Sequence, residues 1–94
     1  MATSIITDNM EVCFVCGARA SEKHHCIHSI NRAKADKYGL FVGLCPNCHR
    51  TSNKAVHGRD GHALDLALKQ IAQRKFEERY GHEMFMQEFS KNYL

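Results

Sequence analysis

Apolar residues recur at helical spacing over the last third of the chain, and these positions form one face of an α-helix. They are Leu64, Leu68, Ile71, Ala72, Phe76 and Tyr80. Asp60 is a candidate N-cap for this helix, and Gly81 is a candidate C-terminal stop. A shorter helix is expected from about His82 to Ser90, with Phe89 and either Met84 or Phe85 on one side. The two helices are predicted to pack onto the preceding part of the chain.

The earlier part of the chain shows short apolar runs and little helical periodicity. Leu40 to Leu44 (LFVGL) is a continuous apolar run that enters a turn, which predicts a buried strand. Ile30 to Tyr38 fits either a short helix or an ordered loop. Residues 1–10 are polar and unpatterned, which predicts a flexible N-terminal arm. Residues 11–94 are therefore expected to form a single domain, with a core over 11–60 and a helical part over 61–94.

Composition changes this picture in two ways. A chain of 94 residues makes one domain with a thin apolar core, so a cross-link or a bound metal is expected to stabilise it. The net charge of +3 is compatible with a phosphate-backbone ligand, although it is far below that of a DNA-packing protein. No apolar run approaches a membrane span, and no secretory signal precedes the domain. The default expectation is a cytoplasmic protein, in whose reducing compartment cysteines serve as metal ligands.

Four of the five cysteines stand in two CxxC turns, at Cys13 and Cys16 and at Cys45 and Cys48. Two thiolates in each tight turn can face one tetrahedral ion, and two turns complete a shell of four. Such a closed site leaves no position for water, so a structural Zn²⁺ is predicted. A redox CxxC is the alternative, but one pair would suffice for it. Cys26 is interpreted as a small buried hydrophobe.

Histidines are concentrated around these turns. His24 and His25 are adjacent, so on a strand they face opposite sides and have different tasks. His49 directly follows Cys48, and His57 comes eight residues later. On one continuous helix that separation spans about 12 Å, too far for a shared ion, so a common site requires a break near residues 51–53. His28 receives no role, while His62 and His82 are expected to be surface residues at helix starts.

These motifs together resemble the HNH endonucleases that carry a four-cysteine zinc site. The resemblance rests on "EKHHC", "GLCPNCHR" and "VHG" in this order, and it covers about residues 11–94. The stretches "NRAKADKYGLFVGLCPNC" and "FSKNYL" are similar to small HNH-type proteins encoded by bacteriophages. The fold implied is α+β, with a zinc-stabilised ββα-metal (HNH/His-Me finger) core followed by two C-terminal helices.

The resemblance also implies roles for individual residues. His24, His49 and His57 would bind a catalytic divalent ion, and His25 would be the general base that deprotonates the attacking water. The four cysteines would hold the structural zinc. The function implied is a metal-dependent DNA endonuclease or nickase with a one-metal mechanism, phage-encoded and acting in the bacterial cytoplasm. A shell of histidines suits Mn²⁺, Ni²⁺ or Zn²⁺, and Mg²⁺ less well.

Two further expectations concern the surroundings of this site. Three basic residues flank the candidate metal-binding histidines and are candidates for binding DNA phosphates: Arg50, Lys54 and Arg59. The family's middle asparagine would fall near Gly39 or Leu40, where this chain has none. The alternative hypothesis is therefore a non-catalytic zinc module that binds DNA or a protein. A redox or metal-handling protein is a third hypothesis.

Overall fold

A two-stranded antiparallel sheet lies at the centre of a small α+β fold. The computed structural model describes residues 3–28 and 31–94. Strand β1 is Glu22–His25 and strand β2 is Phe41–Leu44, with His24 opposite Val42 and His25 opposite Phe41. All four residues of β2 are buried, which confirms the predicted buried strand, although it begins one residue after Leu40.

Helix α1, Arg32–Tyr38, lies between the two strands in the sequence. The predicted segment is therefore a short helix and not an ordered loop. It ends at Gly39, whose φ of 76° lies in the left-handed region that glycine adopts without strain. The Leu40 N–H then donates to the Ala35 carbonyl, which turns the chain into β2. Ile30, the first residue of the predicted segment, lies outside the described residues.

Helices α2, His62–Tyr80, and α3, His82–Phe89, form the C-terminal part as predicted. Gly81 joins them with a φ of 89°. The prediction of Asp60 as the N-cap is wrong, because Gly61 occupies that position and no side chain caps the helix. Gly61 packs so closely on the backbone of Ala55 that a Cβ would not fit there, and the helix starts only after it.

The core contains an aromatic cluster formed by α2, α3 and Tyr38 of α1. Leu68, Ala72 and Phe76 of the predicted apolar face are buried. The Phe76 ring lies 5.5 Å from that of Phe85 and 5.6 Å from that of Phe89, in the edge-to-face arrangement that aromatic pairs prefer. The helices thus supply apolar surface that the cysteine-rich part lacks.

The first described residues run along the sheet. Ser4 Oγ donates to the Phe41 carbonyl at 2.6 Å, and the Ile5 N–H donates to the Gly39 carbonyl at 2.9 Å. Ile5 also packs against the core. Met1 and Ala2 of the predicted arm lie outside the described residues. Within residues 3–28 and 31–94, none of the helices combines the length and apolar character that crossing a bilayer requires.

Truncating Phe76 is expected to destabilise the protein strongly. Its side chain is fully buried, so Phe76→Ala should cost about 3–5 kcal/mol of unfolding free energy through lost burial and a new cavity. Leu66→Ala, on the exposed face of the same helix, is the matched control and should change stability by less than about 0.5 kcal/mol. Urea denaturation of zinc-loaded protein measures both, and equal midpoints would contradict this description of the core.

Candidate metal centres

The first CxxC turn is a short hairpin. Val12 and Arg19 pair across it, and the Gly17 N–H donates to the Cys13 carbonyl at 2.9 Å. Gly17 has a φ of 80°, a conformation that other residues adopt only with strain, and this lets the chain reverse directly after Cys16. Both thiols of the turn can therefore face the same side.

The second CxxC turn follows β2. Cys45 comes directly after the strand, and Asn47–Thr51 then forms a π-helical turn that contains Cys48. The His49 N–H donates to the Cys45 carbonyl at 3.0 Å, which fixes the start of this turn on the strand end. The sheet therefore presents the second pair of thiols to the first.

The four thiols of Cys13, Cys16, Cys45 and Cys48 meet in one cluster, with all four sulfur atoms within 4.8 Å of one another. Cys16 Sγ lies 3.6 Å from Cys45 Sγ, far longer than a disulfide bond. Four sulfurs around a tetrahedral zinc ion at 2.3 Å lie about 3.8 Å apart, so the spacing suits such an ion. The cluster could hold a structural metal such as zinc, as the two CxxC motifs predict.

The ionisation of these thiols agrees with a cation site. Burial opposes ionisation of Cys13, but hydrogen bonds from the backbone N–H groups of Cys45, Cys16 and Val15 outweigh it and lower its pKa to about 6. Burial and the neighbouring thiols raise the pKa of Cys48. Four thiolates repel one another unless a cation neutralises them, so full ionisation of the cluster requires a bound metal.

A second cluster brings together three histidines from distant parts of the chain. His24 lies on β1 and His49 in the π-helical turn. The helical segment breaks after Thr51, as the spacing requires, and the chain returns so that Val56 and His57 donate their N–H groups to the Cys48 and His49 carbonyls, each at 2.9 Å. This backbone pairing places His57 beside His49.

The geometry of this cluster permits a shared ion. The ring of His24 lies 5.2 Å from that of His49 and 5.4 Å from that of His57, and the latter two rings are 4.8 Å apart. One ring nitrogen from each histidine lies within 4.8 Å of the others. Nitrogens at 2.1 Å on a tetrahedral ion are about 3.4 Å apart, so the rings need to close by at most about 1.5 Å.

His24 provides the observation that best fits a metal. Its Nε2 is buried and has no hydrogen-bond partner, and it is the one such side-chain nitrogen or oxygen in the described residues. Burial, together with the neighbouring His49 and His57, lowers the pKa of His24 to about 3, so the ring is neutral at physiological pH. A neutral imidazole with an unpartnered buried nitrogen is the form that binds a metal.

Glu22 orients His49. His49 Nδ1 donates to Glu22 Oε1 at 2.7 Å, which leaves its Nε2 for another ligand. Arg50 binds the same carboxylate at 2.6 Å, and Arg50 and His49 together lower the pKa of Glu22. Because metal-binding histidines commonly donate their other N–H to a carboxylate, this pair suits a ligand role for His49.

His25, at the end of β1, lies outside the cluster of three but faces the same pocket. Its Nε2 donates to Asp36 Oδ1 on α1 at 3.1 Å, and its ring lies against Phe41. Lys23 donates to the same oxygen at 2.6 Å, and Lys23 and His25 together lower the pKa of Asp36. The ring is therefore held between a helix and a strand.

The histidines surround an open cavity of about 380 Å³. Besides the four predicted histidines, three residues line it that the sequence did not indicate: Lys23, His28 and Arg32. Among the described residues, the lining includes none of the three predicted phosphate contacts. Arg50 is paired with Glu22, Arg59 lies 3.7 Å from Asp60, and Lys54 is exposed elsewhere.

The structure agrees with the sequence interpretation of Cys26, His62 and His82. Cys26 is fully buried, and burial raises the pKa of its thiol to about 12, so it stays protonated. His62 begins α2 and is exposed. His82 begins α3 and pairs with Glu77 at 2.7 Å, away from the cavity. None of these three lines the histidine cavity.

No position near Gly39 or Leu40 supplies the amide that the HNH resemblance leads one to expect. Asn31 instead donates to the Phe89 carbonyl at 3.5 Å, which ties α1 to the end of α3.

Comparisons with protein-family models, curated proteins and solved structures find no significant match to this chain. The function therefore has to be argued from the site itself.

Proposed function

We propose that the protein is a metal-dependent endonuclease or nickase of the HNH type that hydrolyses phosphodiester bonds in DNA. The observation that carries the proposal is the meeting of His24, His49 and His57, from three separate stretches, around the unpartnered Nε2 of His24. A fourth imidazole, that of His25, faces the same cavity without belonging to the cluster. This combination suits a metal site with an adjacent base.

The three clustered imidazoles would hold the divalent ion. In phosphodiester hydrolysis such an ion offsets the charge of the phosphate and stabilises the leaving oxygen. Glu22 keeps His49 in the tautomer whose Nε2 is available, and burial keeps His24 neutral. The all-nitrogen shell favours Mn²⁺, Ni²⁺ or Zn²⁺ over Mg²⁺.

His25 is the residue we assign as general base. An imidazole suits this task because it exchanges protons near neutral pH. Asp36 accepts the His25 Nε2–H, so Nδ1 is the nitrogen left to take a proton from water. Asp36 thereby holds the ring in place, a task that we infer it performs where the family uses an asparagine.

The proposal assigns phosphate binding to Lys23 and Arg32 in place of the three residues suggested by the sequence. Both line the histidine cavity. Arg32 lies at the start of α1 and makes no ion pair with any other described residue, so its guanidinium is available to a phosphate. The ammonium group of Lys23 also forms an ion pair with Asp36, so a phosphate would share it with that carboxylate.

We also propose that the core is of the ββα-metal type. Two antiparallel strands followed by a helical turn with His49 correspond to the order of a ββα-metal core, although Asn47–Thr51 is shorter than a regular helix. The bacteriophage origin and a place of action in the bacterial cytoplasm rest on the sequence resemblance alone.

Replacing Glu22 should weaken metal binding at the histidine cluster. Glu22→Gln removes the carboxylate that orients His49, and loss of such a partner typically lowers metal affinity about 10- to 100-fold. Arg50→Gln is the matched control, since it removes the other partner of Glu22 and leaves the His49 contact intact. Calorimetric titration of zinc-loaded protein with Ni²⁺ measures both. Equal affinities for wild type and Glu22→Gln would contradict the orienting role of the Glu22 carboxylate.

The enzyme proposal is tested by incubating zinc-loaded protein with supercoiled plasmid and Mn²⁺, Ni²⁺ or Mg²⁺. We expect nicked DNA with at least one of these ions, and loss of activity in His57→Ala, which removes one of three ligands. His62→Ala, an exposed residue outside the cavity, should retain activity. A folded, zinc-containing wild type that cuts no DNA with any ion would refute the proposal.

A non-catalytic zinc module that binds DNA or a protein is the second candidate. Two observations favour it: the absence of the family's asparagine near Gly39, and the short turn that carries His49. This candidate predicts one ion per chain, on the cysteines alone, whereas the enzyme requires two. Elemental analysis of the purified protein distinguishes them.

A further inference from the structure

A second cavity lies beside Phe41 of β2. It has a volume of about 480 Å³, within the range of about 300–1,000 Å³ that is typical of cavities for small organic ligands. Among the described residues, its lining shares no member with that of the histidine cavity. The lining consists of Phe41 and five residues of the N-terminal segment: Thr3, Ser4, Thr7, Asp8 and Met10. Neither the metal sites nor the proposed chemistry uses this cavity.

The two cavities are neighbours across the Phe41 side chain. Lys23, His25 and Phe41 lie on one face of the sheet, because His25 is opposite Phe41 and side chains two residues apart on a strand share a face. The centroid of the Phe41 ring lies 6.1 Å from that of His25 and 4.0 Å from Lys23 Nζ. Lys23 and His25 line the histidine cavity, whereas Phe41 lines the second. A ligand bound in the histidine cavity can therefore extend past these side chains into the second.

The N-terminal wall of the second cavity is fixed to β2. Ser4 Oγ donates to the Phe41 carbonyl at 2.6 Å and accepts the Thr7 N–H at 3.2 Å. A Cβ on Gly43 would collide with the Met10 carbonyl, so the absence of a side chain there allows Met10 to pack against the strand. These contacts position the wall relative to the strand that faces His25.

The two linings differ in charge. Lys23 and Arg32 give the histidine cavity cationic groups that suit a phosphate. Among the described residues, the second cavity is lined by no Lys, Arg or His, and it offers threonine hydroxyls, apolar side chains and the Asp8 carboxylate. Asp8 is exposed and forms no ion pair with another described residue, so its oxygens are available to a ligand. The two cavities together suit a phosphate joined to an uncharged group that carries hydrogen-bond donors.

We propose that the second cavity binds the nucleobase next to the scissile phosphate and prefers a base that carries an exocyclic amino group. The amino group donates to the Asp8 carboxylate, the type of contact by which acidic side chains recognise cytosine. Adenine, cytosine and guanine each carry such a group, whereas thymine has carbonyl oxygens in its place, which a carboxylate repels. This inference rests on the proposed nuclease function and names the part of the substrate that determines where the chain is cut.

The test maps the nicks that the zinc-loaded full chain makes in supercoiled plasmid with its best divalent ion. Sequencing the ends of many nicks gives the base frequencies on either side. We expect thymine about tenfold less often than the other bases at one position next to the nick. Asp8→Asn should abolish this preference, because an amide both accepts and donates and therefore tolerates thymine. Asp60→Asn makes the same change at an exposed aspartate that lines neither cavity, and it should keep the preference.

Binding provides a readout that does not depend on cleavage. Two labelled duplexes that differ only in the base pair at the mapped position are titrated with zinc-loaded protein, without the catalytic ion, and followed by fluorescence anisotropy. Wild type should bind the duplex with thymine on the cut strand about tenfold more weakly, and Asp8→Asn should bind both equally. Because Asp8 is exposed, the variant should match wild type in melting temperature and metal content.

The outcomes separate this inference from the proposed function. If wild type nicks DNA without disfavouring thymine next to the nick, or if Asp8→Asn keeps the preference, the second cavity does not recognise a base and only this inference fails. If wild type nicks no DNA with any ion, the nuclease proposal fails and this inference fails with it.

Discussion

Cys45→Ser should abolish zinc binding and leave the chain largely unfolded. Cys45 joins the end of β2 to the other three thiols and is 8% exposed. The binding free energy of a structural zinc is about 10–16 kcal/mol. The whole stability of a domain is typically about 5–15 kcal/mol, so the fold is not expected to survive without the ion. Far-UV circular dichroism and elemental zinc analysis measure the two effects.

Cys26→Ala is the control for this experiment. Cys26 is also buried, but it lies outside the cluster of four. The variant should lose only the modest free energy of a small buried side chain, roughly 1–2 kcal/mol, and should keep its zinc. If Cys45→Ser melts at the same temperature as wild type and retains its zinc, the four-cysteine site is not what stabilises this fold.

His25→Ala should lower the nicking rate by about 10²- to 10⁴-fold, the usual contribution of a general base. The residue lies outside the group of three clustered histidines, so both metal sites should remain filled. The His25 side chain is only 12% exposed and packs against Phe41, so the variant should lose some thermal stability but remain folded. Plasmid nicking under the best metal condition, together with metal analysis, measures these effects.

His82→Ala is the matched control, because it also removes a histidine paired with a carboxylate, that of Glu77, but far from the cavity. It should nick DNA at the wild-type rate. A His25→Ala protein that is as active as His82→Ala would show that His25 is not the base. A His25→Ala protein that has lost an ion would instead make His25 a ligand.

The sequence predicted the elements whose patterns are local. The helical spacing of Leu68, Ala72 and Phe76 located α2, because a period near 3.6 is a direct consequence of helix geometry. The two CxxC turns predicted the thiol cluster, since their ligand spacing is fixed by the tetrahedral ion. The start of α2 was misplaced because the close approach of Gly61 to Ala55 is a tertiary contact with no local signal.

The partners of the histidines could not be predicted in this way. His28 meets Asp65, 37 residues away, and His25 meets Asp36, and neither carboxylate differs in sequence context from an ordinary surface residue. Arg50 follows His49 and seemed free for a phosphate, yet Glu22 binds it. Such pairings depend on how α1 and α2 pack beside β1. The compact "HHCIH" run was the one available signal for His28.

The number and positions of the bound metal ions decide whether the three histidines form a metal site. The measurement is elemental analysis of the purified chain combined with anomalous diffraction at the metal absorption edges. We expect two ions per chain: one among the four clustered sulfurs, and one among the three clustered imidazole rings. The sulfurs are those of Cys13, Cys16, Cys45 and Cys48, and the rings are those of His24, His49 and His57. A single ion on the sulfurs, with the three rings turned away from one another in a metal-supplemented crystal, would contradict this expectation.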